Sequence, residues 1–362
     1  MRYLNEEAID RIAIGAAVLG SGGGGDPYVG KLMAKQAIRK HGPVQLIDAD
    51  DVPDDALIIP SAMMGAPAVM LEKLPNGHEP ETSFRALEKF LGKQAYGVIS
   101  IEAGGINSCI PIYTAATLGL PLVDGDGMGR AFPELPMVSF SIGGVSSSPM
   151  VVCDEKGNKM VLETITNAWS ETLARTATDA MGLGPMLGIY SMNCATLKRL
   201  AVRGTMTLAE EIGRTILEAG KSRISALDGI LRITHGLRLF EGKIIDVRRD
   251  LTSGFMRGTV FFEGLDKDKG AMFDLDFQNE NLVGKRDGKA VAMTPDLITV
   301  LDQERGLPIT TENLKYGQRC IVIGMPCNPI WRTEAGIKQV GPRYFKYDLD
   351  YIPIETLAGG SR

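Results

Sequence analysis

Over its first 140 residues, this 362-residue chain alternates short apolar runs with segments of helical spacing, and this alternation limits the folds open to it. Strands that alternate with helices form βαβ units, which build a mostly parallel sheet. The alternation therefore predicts an α/β domain whose parallel or mixed sheet is flanked by helices. The predicted strands are 44–47, 56–60, 98–101 and 121–123; the predicted helices follow Asn5 and Pro27 and span 84–91 and 107–118.

After about residue 140 the pattern changes to short strands separated by turns, which is typical of a small β-barrel or sandwich. A chain of this length exceeds the usual size of one hydrophobic core, so we expect two domains, 1–168 and 169–362. The predicted elements here are a hairpin of 150–153 and 160–163, helices 167–180 and 208–217 (capped by Thr207), and strands 243–247, 258–262, 271–277, 319–323 and 344–349.

Charge and composition exclude several classes of function. The formal net charge of -5 argues against a general nucleic-acid binder. No apolar run reaches the roughly 20 residues that a membrane span needs, and the acidic start does not resemble a signal peptide. The five cysteines lie far apart without CxxC spacing, which favours reduced thiols and a cytoplasmic protein. With three histidines and no HExxH, a zincin-type site is excluded.

The run 122–130 (LVDGDGMGR) places two carboxylates, glycines and a cation where a predicted strand ends. Ligands of open α/β sheets gather at the carboxyl ends of strands, so we expect Asp124 and Asp126 to project into one crevice. There they could act as a general base or hold a divalent metal, with Arg130 binding substrate. The alternative is that both aspartates only cap the turn before Met128.

Glu102 follows another predicted strand in the same way, and Asn107 lies five residues later, beyond two glycines. The Asn107 amide could donate to an oxyanion, or it could cap the next helix. Cys109, at the start of that helix, and Cys327, in a proline-rich loop, could be nucleophiles or buried structural thiols. Whether either cysteine reaches the crevice stays open.

The glycine cluster 20–25 could donate backbone N–H groups to a polar ligand, with Ser21, Gly22, Gly23 and Gly24 as the binding residues. It follows a helix rather than a strand, so it does not fit the dinucleotide fingerprint. Two other interpretations remain: a tight interhelical turn without a ligand, and a nucleotide site.

Taken together, these motifs resemble the S-methyl-thiohydantoin desulfurase family, formerly a domain family of unknown function associated with hydantoinase and oxoprolinase. The resemblance covers essentially the whole chain and implies an α/β domain followed by a β-rich domain. It also implies hydrolysis of a five-membered cyclic ureide or its thio analogue, with methanethiol or sulfide leaving. The residues that carry it are 20–24, 65–67, 102–108, 124–134 and 204–209.

The sequence therefore predicts a hydrolase of a hydantoin-like or S-methyl-thiohydantoin ring, with water attacking the ring carbon between two nitrogens. The predicted catalytic residues are Asp124, Asp126, Glu102 and Asn107, and Arg130 would pair with an acidic substrate arm. A divalent metal at Asp124 and Asp126 is one route to water activation. The alternatives are an accessory subunit of a hydantoinase- or oxoprolinase-type system and a small-molecule sensor. A homo-oligomer or a hydantoinase-type partner is also expected.

Overall fold

A computed structural model describes residues 1–66, 69, 73, 75–219, 225–252 and 255–359, so Pro67 of the 65–67 motif lies outside the described residues. Among the described residues up to 203, nine strands form one sheet and two form a small ribbon. These strands are β1 (Arg2–Leu4), β2 (Val44–Ile47), β3 (Leu57–Met63), β4 (Gly97–Ser100), β5 (Leu122–Val123), β6 (Gly125–Asp126), β7 (Met150–Cys153), β8 (Lys159–Leu162), β9 (Met186–Gly188), β10 (Met192–Asn193) and β11 (Val202–Arg203).

The large sheet is mixed, which confirms the predicted α/β class of the first domain. Its strand order is β1-β2-β5-β4-β3-β9-β7-β8, with β10 paired to β3, and β6 and β11 form the separate ribbon. The central strands β2, β5, β4 and β3 run parallel, and the others pair antiparallel. The carboxyl ends of β3, β4 and β5 therefore lie on one edge, where a ligand site is expected.

Helices flank this sheet and continue into the second domain. Asn5 accepts a hydrogen bond from the Ala8 amide and so caps the first helix as predicted. The predicted helix 167–180 is confirmed, with Thr166 as its cap. The helices are α1 (Glu6–Leu19), α2 (Tyr28–His41), α3 (Glu79–Leu91), α4 (Ile110–Leu118), α5 (Ser139–Ile142), α6 (Asn167–Ala180), α7 (Cys194–Leu200), α8 (Thr205–Glu218), α9 (Ala226–Thr234), α10 (Glu334–Val340) and α11 (Ile354–Gly359).

Two helix starts differ from the sequence-based expectation. Helix α8 is capped at Gly204 rather than Thr207, because the side chain of Asp124, distant in sequence, accepts the first amides of the helix. Helix α4 begins at Ile110, so Asn107 lies before it and does not cap it. At α8 a tertiary contact replaces the local cap that the sequence suggested, whereas at α4 the Asn107 side chain bonds to Met63 and Glu102 instead of capping the helix.

In the part of the second domain that the structure describes, eight strands form one antiparallel sheet, in the order β16-β15-β14-β13-β12-β19-β17-β18. Strand β15 also touches β17 across the sheet, and Asn281 Nδ2 donates to Ile298 O at 2.8 Å, so the sheet curls around its own apolar core. The strands are β12 (Leu237–Thr252), β13 (Phe255–Gly264), β14 (Met272–Gln278), β15 (Glu280–Arg286), β16 (Lys289–Met293), β17 (Leu297–Asp302), β18 (Pro308–Ile309) and β19 (Arg319–Met325).

The strand predicted at 344–349 is wrong. The segment forms successive turns, with the amides of Tyr344 and Tyr347 bonded to Gly341 O and Pro342 O, and Lys346 is in the left-handed region. Its aromatic residues alternate because Phe345 and Tyr347 pack on a small cluster beside Leu282, not because they line a strand.

Side chains from both halves of the chain share the largest apolar core. It joins the first sheet and its helices to Leu297, Ile323 and Trp331 of the second half. Strand β9, which follows residue 168, belongs to the first sheet, and the domain boundary proposed at that point stays a prediction. None of the helices in the described residues combines the length and the apolar character that crossing a membrane requires.

Candidate active site

A cavity of about 70 Å³ opens at the carboxyl ends of β3 and β4, between the two domains. Since one water needs about 10–15 Å³ of such space, the cavity has room for a few waters or a small ring. Its polar lining residues are Gly24, Glu102, Asn107, Glu134, Arg175, Asn279 and Glu280; most of the others are apolar.

Glu102 lies two residues after the end of β4 and is 5% exposed. Asn107 Nδ2 donates to Glu102 Oε1 at 2.8 Å and to Met63 O at 3.1 Å, while Asn107 Oδ1 accepts from the Met63 amide at 2.7 Å. Both amide protons of Asn107 are thus used inside the protein. The asparagine positions Glu102 against the end of β3 and is not free to donate to an oxyanion, contrary to the sequence-based expectation.

Glu280, at the start of β15, brings a second buried carboxyl to the same cavity. It is 3% exposed, and it accepts the backbone amide of Gly24. Its Oε2 has no hydrogen-bond partner among the described residues. Sequence reasoning missed this residue. The available signal was the polar run 278–281 (QNEN) inside an otherwise apolar strand pattern.

Burial raises the pKa of both carboxyls toward neutrality. Desolvation raises the pKa of Glu102 to about 7, against the lowering effect of the hydrogen bond from Asn107. Desolvation, followed by the nearby charge of Glu102, also raises the pKa of Glu280. The pair therefore holds a proton at pH values where ordinary glutamates are ionised, as acid–base catalysis near neutral pH requires.

Arg130 lies behind this pair and is fully buried. Its Nη1 donates to Pro295 O at 2.7 Å and Asp296 O at 2.9 Å, its Nε donates to Ala131 O, and its guanidinium stacks on Phe132. It does not line the cavity, so the predicted pairing with an acidic substrate arm does not fit its position. Its charge instead offsets the buried carboxylates and joins the domains.

The side chains of the two aspartates in the 122–130 run bind different parts of the structure. Asp126 is fully buried, and its Oδ1 accepts the amides of Met128 and Gly129 at 3.2 and 2.8 Å, which is the turn-capping alternative. Burial raises the pKa of Asp126 well above its usual range. Asp124 instead accepts the amides of Met206 and Thr207 at 3.0 and 3.1 Å. Neither side chain lines the cavity.

This arrangement does not suit the predicted metal site at Asp124 and Asp126. One carboxylate oxygen of each aspartate accepts backbone amides, and the two side chains do not share a crevice. Among the described residues, His, Cys, Asp and Glu side chains form no group of three or more that could hold a metal ion. Neither aspartate is therefore placed to activate water at the cavity, either directly or through a metal that the two would share.

Replacing Asp124 with alanine should lower the free energy of unfolding by about 1–2 kcal/mol, because two amides of α8 lose their acceptor. Turnover per folded molecule should stay at the wild-type level. Urea unfolding and a rate assay on the same preparation check both expectations. A loss of turnover in fully folded Asp124→Ala would return this aspartate to the mechanism.

The glycine loop between α1 and α2 joins the domains rather than cradling an anion. Ser21 Oγ lies 3.0 Å from Ile298 O and 2.9 Å from Ile298 N, and Gly22 O accepts the Thr311 amide. Gly23 packs against the Glu280 carboxyl, and Gly24 lines the cavity. Of the four predicted binding residues in this loop, Gly24 alone lines the cavity, and its backbone packs closely against Gly104.

Neither candidate cysteine lines the cavity. Cys109 is fully buried beside Gly30, and desolvation raises its pKa to about 12. Burial likewise raises the pKa of Cys327 to about 12. Thiols with raised pKa values are poor nucleophiles near neutral pH, so the structural alternative describes both.

At the rim of the cavity lie Glu134 and Arg175, to which the sequence had suggested no role. Glu134 accepts a hydrogen bond from Tyr344 Oη at 2.5 Å. Arg175 donates to Pro133 O at 3.2 Å, pairs with Glu171 and stacks on Phe255. Both charges are engaged with neighbouring groups, so the rim does not present a free cation to a substrate.

Comparisons with known proteins assign nearly the whole chain to one family. Residues 7–164 match the family described as S-Me-THD-like, N-terminal domain, and residues 165–354 match its C-terminal domain. An X-ray structure of a Chromobacterium violaceum protein superposes with a TM-score of 0.82 at 22% identity, covering 98% of this chain and 100% of that one. At this identity the likeness shows the fold alone. No curated protein matches the chain.

Proposed function

Because the chain belongs to the S-Me-THD-like family, we propose that it is a hydrolase of hydantoin-like compounds, with an S-methyl-thiohydantoin as the preferred substrate and the exocyclic C–S bond as the bond that breaks. The observation that carries the proposal is the pair of buried carboxyls, Glu102 and Glu280, on one small cavity. Two carboxyls whose environments differ are a common source of one acid and one base.

The hydrogen bonds suggest which carboxyl takes which role. Glu102 accepts from Asn107 Nδ2 and from the Phe132 amide, and both contacts favour its ionised form. Glu280 Oε2 has no hydrogen-bond partner among the described residues. When this oxygen is protonated, it can therefore donate its proton to a bound ligand. We assign Glu102 as the base and Glu280 as the acid.

In the first stage, Glu102 takes a proton from water as the water oxygen bonds to the ring carbon that carries sulfur. The C=N electron pair moves onto the ring nitrogen, which takes the proton of Glu280. In the second stage, Glu280 takes the proton of the new hydroxyl, C=O forms, and the C–S bond breaks. Glu102 donates its proton to the leaving sulfur. Methanethiol and a hydantoin result, and both carboxyls regain their starting states.

The apolar walls favour a substrate with a neutral side arm. Met63, Met64, Leu187 and Ile189 line one side of the cavity. Methionine sulfur is polarisable and adapts to soft groups such as a methylthio substituent. Arg130 is buried behind the carboxyls and cannot pair with the acidic substrate arm that the sequence predicted. The proposed substrate therefore carries an apolar arm.

The cavity favours an enzyme over the two alternatives. An accessory subunit needs no pair of buried carboxyls on a cavity, and a sensor needs no group that activates water. Buried carboxyls with raised pKa values in a pocket are typical of acid–base catalysis.

The test is methanethiol release from an S-methyl-thiohydantoin bearing an apolar arm, run in ¹⁸O-labelled water. We expect thiol release with one ¹⁸O in the ring carbonyl of the product. The same compound with a carboxylate arm serves as the comparison and should react more slowly. If a well-folded protein releases thiol from neither compound, the proposal is contradicted.

The pH dependence of kcat/KM should be bell-shaped, with its maximum near neutral pH. Below the lower pKa of the pair both carboxyls are protonated and no base remains; above the upper pKa both are ionised and no acid remains. A rate profile measured from about pH 5 to pH 10 checks this expectation. A profile that is flat through neutrality would remove the pair from the mechanism.

A further inference from the structure

The outer edge of the first sheet is an exposed strand beside exposed apolar side chains. Strand β8 ends the sheet, and among the described residues no strand pairs with its outer side. Helix α6 packs on β7 and β8 and continues the surface. We call this surface the edge patch: Met160, Val161, Ile165 (86% exposed), Trp169 (50% exposed) and Leu173.

The hydrogen-bond pattern of the hairpin shows which backbone groups of β8 face outward. Residues 154 and 158 form a hydrogen-bonded pair, with the Asp154 amide donating to Asn158 O at 3.0 Å. The register pairs Val152 with Met160 and Met150 with Leu162. Because bonded and non-bonded pairs alternate in antiparallel strands, Met160 and Leu162 bond to β7. The N–H and C=O groups of 159, 161 and 163 therefore point away from the sheet.

The charges along this edge are complementary to themselves. The segment 159–163 reads Lys-Met-Val-Leu-Glu, and Lys159 and Glu163 are both exposed. Neither has an ion-pair partner among the described residues. In an antiparallel pair of two such strands centred on Val161, each Lys159 stands opposite the Glu163 of the other copy.

We propose that two copies of this chain pair antiparallel through β8, with a two-fold axis at Val161 that joins their sheets into one. The outward N–H and C=O groups of Val161 then bond to those of its counterpart. Self-complementary contacts of this kind are what a two-fold interface requires. An unpaired edge with a single lysine would be protected from pairing, but here the opposite glutamate turns that lysine into an attractive contact.

The apolar part of the edge patch supports a second copy as the occupant. Trp169 and Leu173 are four residues apart on α6, so they share a helix face next to the edge. The two-fold axis brings this face of each copy toward the partner's edge. A different protein could satisfy the backbone groups equally well, but the charge order of 159–163 is complementary to a second copy of the same segment, which favours the second copy as the occupant.

The test is a charge-reversal cycle measured by sedimentation equilibrium. We expect wild-type protein to have twice the mass of the chain. Lys159→Glu and Glu163→Lys each create two like-charge contacts and should raise the dimer Kd about tenfold or more. The double variant restores opposite charges and should return Kd to within about threefold of wild type. Lys267→Glu, an exposed lysine elsewhere, is the control for net charge and should leave Kd unchanged.

Three results would overturn the proposal. The first is a monomeric wild-type protein at the highest concentration measured. The second is a dimer whose Kd is unaffected by either single reversal, which assigns dimerisation to another surface. The third is a double variant as weak as the singles, which contradicts the antiparallel register. Circular dichroism of each variant confirms that the exposed substitutions leave the fold unchanged.

Discussion

Replacing Glu280 or Glu102 with glutamine should lower kcat by about 10²- to 10⁴-fold, the range that a positioned acid or base contributes. Glutamine keeps the size of the side chain but can neither give up nor accept the required proton. The two losses should be far from additive, because each carboxyl serves in both proton transfers. Steady-state methanethiol release from the two single variants and the double variant checks this expectation.

The folded state should tolerate both substitutions. Since burial raises the pKa of each carboxyl above its unfolded value, ionisation costs stability as the pH rises through the folded pKa. The neutral amide avoids this cost, so each variant should be no less stable than wild type above neutral pH. Thermal unfolding at two pH values measures the difference.

Glu312→Gln is a matched control for the carboxyl pair. Burial also raises the pKa of Glu312, and this side chain accepts a backbone amide, that of Asp26, but it does not line the cavity. Its turnover should equal that of wild type. If Glu280→Gln and Glu312→Gln behave alike, the special role of Glu280 is refuted.

Gly24→Ala should lower the free energy of unfolding by about 3–5 kcal/mol. The residue has φ +67°, and an added Cβ would lie 2.5 Å from Gly104 Cα, which is backbone and has no rotamer with which to move aside. The loop would have to separate from the segment that carries Glu102. Chemical denaturation measures the loss of stability, and turnover should fall with it.

Gly119→Ala separates the two causes of this effect. Gly119 has the same φ of +67°, but no atom lies within 4 Å of its added Cβ. Gly119→Ala should lower the free energy of unfolding by only about 1–2 kcal/mol, because alanine is strained in a left-handed conformation by about that amount. A cost for Gly24→Ala no larger than that for Gly119→Ala would show that the close approach to Gly104 is unimportant.

Local pattern was sufficient for most of the elements. The hairpin of β7 and β8, helix α6 and the parallel strands lie at or near their predicted positions, because apolar periodicity and caps act over a few residues. Glu102, Asn107 and Gly24 were also identified, since each follows an element whose end could be located. The family, too, was identified from the sequence, and the models of its two domains match residues 7–164 and 165–354.

The roles of Asp124 and Asp126 could not be predicted in the same way. Their spacing allowed a shared crevice, but β6 pairs with β11 and brings the start of α8 to Asp124. That contact depends on residues about 80 positions away, so no local rule could reveal it. Asp126 was left buried in its own turn.

The sequence alone determined the class of fold, the order of its elements and the residues that follow the central strands, because these depend on periodicity and turn chemistry. The tertiary structure decided which acids face one another. Glu102 follows a strand of the first sheet and Glu280 begins a strand of the second, and they share a cavity because the glycine loop and Arg130 hold the domains together. Burial then raises their pKa values, and burial is a property of packing that no single segment of the chain contains.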